Sequence, residues 1–299
     1  MSSLNLADFA YESAADEFTD YIVYKKLSGL GFEKRHRFSG TLKKMSAMEY
    51  GHYRFWMKYC PNQKIKISNL KVYLIIFLRL ALGVTFAVKF LERNEMSTIK
   101  KYKDVARKIP QKDQAQFKRI IADEVGHENE FVKQFDEPHI RYISFIVLGL
   151  ADALVEIAGI HAGSLGIYDK TELAGLAGII AGAAASIAMA SAAYAQAKTG
   201  FKGSATLSAI YTGISYFFTA LILATPYFLT NVMIYALTAS LIFAVLLTAF
   251  ISFYGSVISG GAFWKDFIEI TSIVFGATVA LYLIGIAIGY LTGITKLGV

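Results

Sequence analysis

Two Glu-x-x-His segments carry the most specific chemistry in the chain. In Glu49-Tyr50-Gly51-His52 and Glu124-Val125-Gly126-His127 the acid and the imidazole stand three residues apart. On a helix that is about 60° of arc, so each pair shares a face. Carboxylate oxygen and imidazole nitrogen together suit divalent transition metals, and the set does not separate iron from manganese. Two more segments supply acids: Glu17, with Glu12 and Asp20 as neighbours, and Glu92-Arg93-Asn94-Glu95. Glu17 to Glu49 and Glu92 to Glu124 are both steps of 32 residues. Equal steps are what two helical hairpins of similar length produce, and the longer step from Glu49 to Glu92 suits a crossover between them. Two helices giving Glu-x-x-His and two giving Glu is the ligand arrangement of four-helix bundles that hold a pair of metal ions.

Those ligands need helices to position them. The pattern predicts helices over about 6–29, 40–59, 67–97 and 111–134, with a shorter one near 98–108. Glu49 sits among Met45, Met48, Tyr50, Tyr53, Phe55 and Trp56, and Glu92 ends the apolar run Val72–Leu91. Acids and histidines buried in such surroundings require a metal or one another. The third helix is nearly apolar, but Arg79 lies near its middle and Lys89 near its end. An Arg at a bilayer centre costs roughly 2.5–3.5 kcal/mol on insertion scales. The segment therefore reads as a bundle helix whose extra apolar face serves dimerisation or rests against a membrane.

The remainder of the chain has a different character. Residues 1–141 hold 25 of the 30 Lys and Arg and 17 of the 23 Asp and Glu. From about residue 142 onward five apolar stretches, near 142–166, 173–196, 205–229, 231–258 and 267–292, are each long enough to cross a bilayer, which takes roughly 20 residues. The net charge of +7 thus lies in one half of the molecule, and the distribution speaks against a nucleic-acid partner. Lys and Arg at the span ends place the N-terminal half in the cytoplasm. The polar, acidic N-terminus shows no cleavable signal. The single cysteine, Cys60, excludes an intrachain disulfide and any cysteine-built zinc or iron–sulfur site.

Asp152 and Glu156 fall four apart in the first apolar stretch, on one helix face. Intramembrane carboxylates are expensive and mark ion or proton paths. Met189 stands out in bulk from the small residues of the second stretch, where Gly, Ala and Ser allow close helix approach. A thioether beside carboxylates favours a transition metal over magnesium or calcium.

These residues carry two resemblances. The segment 1–137 resembles a rubrerythrin-type ferritin-like domain, whose pattern falls here on Glu17, Glu49, His52, Glu92, Glu95, Glu124 and His127. The segment 138–299 is similar to the vacuolar iron transporter family, through Gly149-Leu150-Ala151-Asp152-Ala153-Leu154-Val155-Glu156 and Met189. The expected fold is all-α, a ferritin-like four-helix bundle followed by a five-span membrane domain. The resemblance implies two Fe ions in the bundle, with Mn2+ as an alternative, and a homodimer in the lipid bilayer. It implies export of Fe2+ or Mn2+ from the cytoplasm along a path with Asp152 and Met189. Glu156, one turn from Asp152, is expected to substitute for the family's second-span glutamate, which has no counterpart here, and titrating carboxylates suit exchange for protons. The missing signal and short loops suit a prokaryotic cell membrane, archaeal or bacterial. The alternative is a membrane-anchored di-iron ferroxidase or peroxidase. The rubredoxin module of rubrerythrins is excluded, because it needs four cysteines.

Overall fold

The computed structural model describes residues 5–30, 38–93, 95–130, 138–165 and 167–293, with backbone alone at 95–97, 126–130 and 138–139. The regular elements of the described residues are all helices, without a strand. The chain divides into two compact units, Met1–Glu137 and Pro138–Val299.

The first unit is built from α1 (Leu6–Gly29), α2 (Phe38–Trp56), α3 (Asn69–Leu82), α4 (Val84–Glu92), α5 (Glu95–Val105) and α6 (Gln114–Glu130). The Asn5 side chain caps α1 by accepting from the Ala7 N–H, and Asp8 complements the positive end of the helix. On α2 the buried positions Leu42, Met45, Glu49, His52 and Trp56 follow one another at alternating steps of three and four. That is the stripe a helix turns to its core, and the acid and the imidazole occupy it as if they were apolar. On α6, Phe117, Ile120 and Glu124 continue the same rhythm. Next to these ligands Phe9, Phe55, Trp56, Tyr102, Val105 and Phe117 form an aromatic core. The Trp56 ring meets Phe9 edge-on at 5.4 Å and Tyr102 at 5.2 Å.

The third predicted helix differs from expectation. It is not continuous over 67–97 but breaks at Gly83, where φ is 97° and ψ is 164°. Without a Cβ, glycine adopts this backbone at little cost, and the Gly83 N–H closes α3 onto the Arg79 carbonyl. α3 buries Val72, Ile75 and Leu78. It leaves Leu70, Tyr73, Leu74, Phe77 and Leu80 exposed, Leu70 by 81%. The next piece, α4, is buried along most of its length and ends at Glu92. Glu95 therefore belongs to α5 and not to the helix of Glu92.

The second unit begins with α7 (Pro138–Arg141) and continues through α8 (Ile143–Ser164), α9 (Thr171–Lys198), α10 (Ala205–Ala224), α11 (Pro226–Leu229), α12 (Met233–Ser259) and α13 (Phe263–Thr292). Among the described residues five helical stretches are long and apolar enough to cross a membrane, with α10 and α11 together forming one of them. Helices suit that solvent because their backbone groups are satisfied internally. Large apolar side chains such as Ile180, Ile187, Leu246 and Leu283 point outward, as a lipid-facing surface requires.

Glycines set how closely these helices approach. A Cβ on Gly285 of α13 would lie 2.2 Å from the Gly163 carbonyl oxygen of α8. On α9, Gly175, Gly178 and Gly182 line up at steps of three and four. A Cβ there would strike Tyr227 and Phe228, His161, and Ala220 respectively. The small-residue stripe of α9 is thus a row of sockets for bulky neighbours.

Candidate metal centre

Glu17 of α1, Glu49 and His52 of α2 and Glu124 of α6 converge inside the first unit. All four are buried, and each offers a ligand atom within 4.8 Å of the others. His52 Nδ1 lies 3.0 Å from Glu124 Oε1, 3.5 Å from Glu49 Oε2 and 3.6 Å from Glu17 Oε2. Its other nitrogen, Nε2, faces Asp123 Oδ2 at 3.5 Å. A carboxylate on the second nitrogen fixes ring orientation and tautomer, so Nδ1 is the atom turned to the cluster.

Two phenols brace the carboxylates. Tyr102 donates to Glu17 Oε1 and Tyr24 to Glu92 Oε1, both at 2.5 Å. Trp56 Nε1 donates in turn to the Tyr102 oxygen at 3.3 Å, which ties the aromatic core to the ligand set. Burial, reinforced by the charge of Glu92 for Tyr24 and of Glu17 for Tyr102, raises both phenols well above their ordinary range. They remain protonated donors.

The electrostatics follow from crowding. Burial works to lower the His52 pKa, but the carboxylates of Glu124, Glu17 and Glu49 outweigh it and raise it. Burial raises Glu49 far above the usual carboxylate range; the Glu17 and Glu124 charges add to this, while the His52 bond opposes it. Burial also works to raise Glu17, but hydrogen bonding and charge from His52 prevail and lower it. Three carboxylates around one imidazole make a cluster that only a cation or protons can balance.

A cavity of about 820 Å³ opens onto this cluster and carries Glu12, Asp16, Asp20, Lys71 and Glu92 on its walls. Of the three first-helix acids, Glu17 joins the cluster. Glu12 lines the cavity, and Asp20 pairs with Lys71 Nζ at 2.7 Å. Burial, against the pull of Lys71, lifts Asp20 to about 6. Glu92 shares the cavity but lies outside the group of four. The side chains of Glu95 and His127 lie outside the described residues.

The donor set is all oxygen and imidazole nitrogen, which fits a divalent metal such as iron or manganese and offers nothing thiolate-specific. Sequence reasoning missed Asp123, Tyr24 and Tyr102. Asp123 had a local signal in its place beside Glu124; the tyrosines, distant in sequence from their partners, had none.

In the second unit Asp152 and Glu156 are half-buried on α8. Glu156 Oε2 accepts from Tyr216 of α10 at 2.5 Å. Met189 of α9 is half-buried against the cluster that contains Leu154, Ile157 and Tyr216.

No protein-family model, curated protein or solved structure matches this chain.

Proposed function

We propose that the chain is a membrane transporter that exports Fe2+ or Mn2+ from the cytoplasm. In this reading the first unit is a ferritin-like bundle in the cytoplasm that captures the metal, and Asp152, Glu156 and Met189 line the path through the second. The observation that carries it is the buried cluster of Glu17, Glu49, His52 and Glu124, joined in one chain to five helices suited to a bilayer. Glu156 supports the path: an acid held by Tyr216 inside such a helix has little use in a mere anchor. Carboxylates also exchange protons for metal, which makes proton antiport the natural coupling.

Glu92, with Glu95 and His127, would complete the ligands for a second ion. Two iron ions held there would supply ferroxidase or peroxidase chemistry, and the protein's part would be to bind, orient and brace the ligands. A membrane-anchored enzyme is the second reading. The cavity on the cluster favours it, since about 820 Å³ admits a small oxidant beside the metal.

Metal flux into proteoliposomes loaded with a quenchable dye tests the first reading. Wild type should transport and Asp152→Ala should not, with metal binding at the cluster unchanged in both. Equal flux in the two would remove Asp152 from the path. Absence of flux in wild type, with peroxide consumed by the intact chain, would establish the enzyme instead.

A further inference from the structure

His161 is fully buried within α8, and neither of its ring nitrogens has a hydrogen-bond partner among the described residues. A buried imidazole ordinarily donates from one nitrogen and accepts at the other. This ring is held by shape alone. Gly178 of α9 makes room for it, since a Cβ there would stand 2.2 Å from His161 Nε2. The Tyr227 ring of α11 lies against it at 4.2 Å, tilted by 36°. The Tyr227 hydroxyl is itself buried without a partner among the described residues.

The groups facing His161 explain its state. α9 presents Gly178 and α11 presents Tyr227. Beside it, Ala162 packs with Ala174, Ala236 and Leu237, so α12 adds apolar atoms. α13 places Leu281 against Gly159 and Gly163, the glycines flanking His161. Among the described residues Tyr227 is the titratable group in contact, and no acid pairs with the ring. A charged imidazolium in these surroundings would be an uncompensated buried charge. The packing therefore holds the ring neutral, and a proton can be taken only after the packing opens.

We propose that His161 is a proton-binding residue of the membrane unit, closed off in this conformation and reached when α9 moves away at Gly178. The opening admits water from the side where the α8–α9 connection lies. A hydronium there gives its proton to the ring nitrogen that lacks one, leaving water, and closure requires that proton to leave. Gly178 is the point of least resistance, because its missing side chain is all that accommodates Nε2. The site lies apart from Asp152 and Glu156, and its role in coupling rests on the transport reading.

Two measurements on the full chain separate the claims. The first is hydrogen–deuterium exchange at the imidazole Cε1 of each histidine, read by mass spectrometry in nanodiscs from about pH 5 to about pH 8. The His161 ring should exchange measurably because the opening lets it take a proton, and Gly178→Ala should speed that exchange. An equally slow rate in both proteins would make His161 inert core and overturn the proposal. The second is Mn2+ flux while the pH on the α8–α9 side is varied. Wild type should respond, and His161→Gln should respond less steeply, with the carboxylates of Asp152 and Glu156 supplying the remaining dependence. An unchanged pH response in that variant would overturn the coupling role. Absence of flux in wild type would instead overturn the transport reading, and the exchange data would still decide whether His161 takes a proton.

Discussion

The Tyr102 hydroxyl of α5 donates to Glu17 of α1 at 2.5 Å while receiving the Trp56 indole N–H at 3.3 Å. The phenol thus joins a cluster ligand to the aromatic core, and it holds Glu17 Oε1 while Oε2 faces His52 at 3.6 Å. Tyr102→Phe keeps the ring packing and removes the donor. Supporting bonds of this kind are worth about 10–100-fold in metal affinity. Calorimetric titration with Mn2+ should show that loss, and the melting temperature should fall as well, because the buried Trp56 N–H loses its acceptor and such a group costs about 1–3 kcal/mol. Equal affinity in the two proteins would mean that Glu17 needs no brace.

Metal binding should be linked to protons. His52 and Glu49 both titrate above their ordinary ranges: at His52 burial opposes the shift and the three carboxylate neighbours prevail, while at Glu49 burial is itself the chief cause. His52 therefore carries a proton near neutrality, Glu49 is shifted in the same direction, and a ligand atom must lose its proton to bind. The sign is fixed: affinity falls as pH falls, and each ion bound releases protons. Titrating Mn2+ in two buffers of different ionisation enthalpy should return a net release of protons. No release would place the ion away from His52 and Glu49.

In the second unit, Tyr216→Phe deletes the donor to Glu156 and leaves the carboxylate without that bond. Hydrogen bonds to charged groups contribute about 1.5–3 kcal/mol. Flux should therefore change by about tenfold or more at one metal concentration, each 1.4 kcal/mol being about a factor of ten. A flux identical to wild type would show that Glu156 is not held in its working position by Tyr216.

Glycines of similar appearance in the sequence should behave oppositely. Gly285→Ala would place a Cβ against the Gly163 backbone, which cannot rotate aside. Overpacking of this kind costs about 1–3 kcal/mol. Gly51→Ala meets nothing within 4 Å on an exposed helix position and should stabilise by about 0.5–1 kcal/mol through helix propensity. Thermal unfolding of the two variants checks both signs, and stabilisation by Gly285→Ala would disprove the close α8–α13 contact.

The all-α class and the five long apolar helices were legible because periodicity and length are local properties. The register that puts Glu49 and His52 in line with Leu42, Met45 and Trp56 is local too. What escaped depends on distant partners. Tyr102 meets Glu17 across 85 residues and Tyr24 meets Glu92 across 68, and nothing near either tyrosine announces its partner. Gly83 sits inside an apolar run that reads as one helix, because a lone glycine is compatible with continuation or with a break. The assignment of Glu95 to the helix of Glu92 failed for that same kind of reason, since the chain re-enters a new helix within three residues. His161 drew no notice as a single histidine in an apolar stretch; only its contacts with Gly178 and Tyr227 mark it.

The outward face of α3 has a practical consequence. Leu70, Tyr73, Leu74, Phe77 and Leu80 are more than two-fifths exposed, and such a patch promotes aggregation when nothing covers it. A soluble fragment cut after residue 137 carries this patch with it. Poor behaviour of that fragment in aqueous buffer would then report on five side chains of α3 and not on the metal centre. Biochemistry on the first unit is therefore best done on the intact chain in detergent or nanodiscs, where loss of metal binding can be read as chemistry.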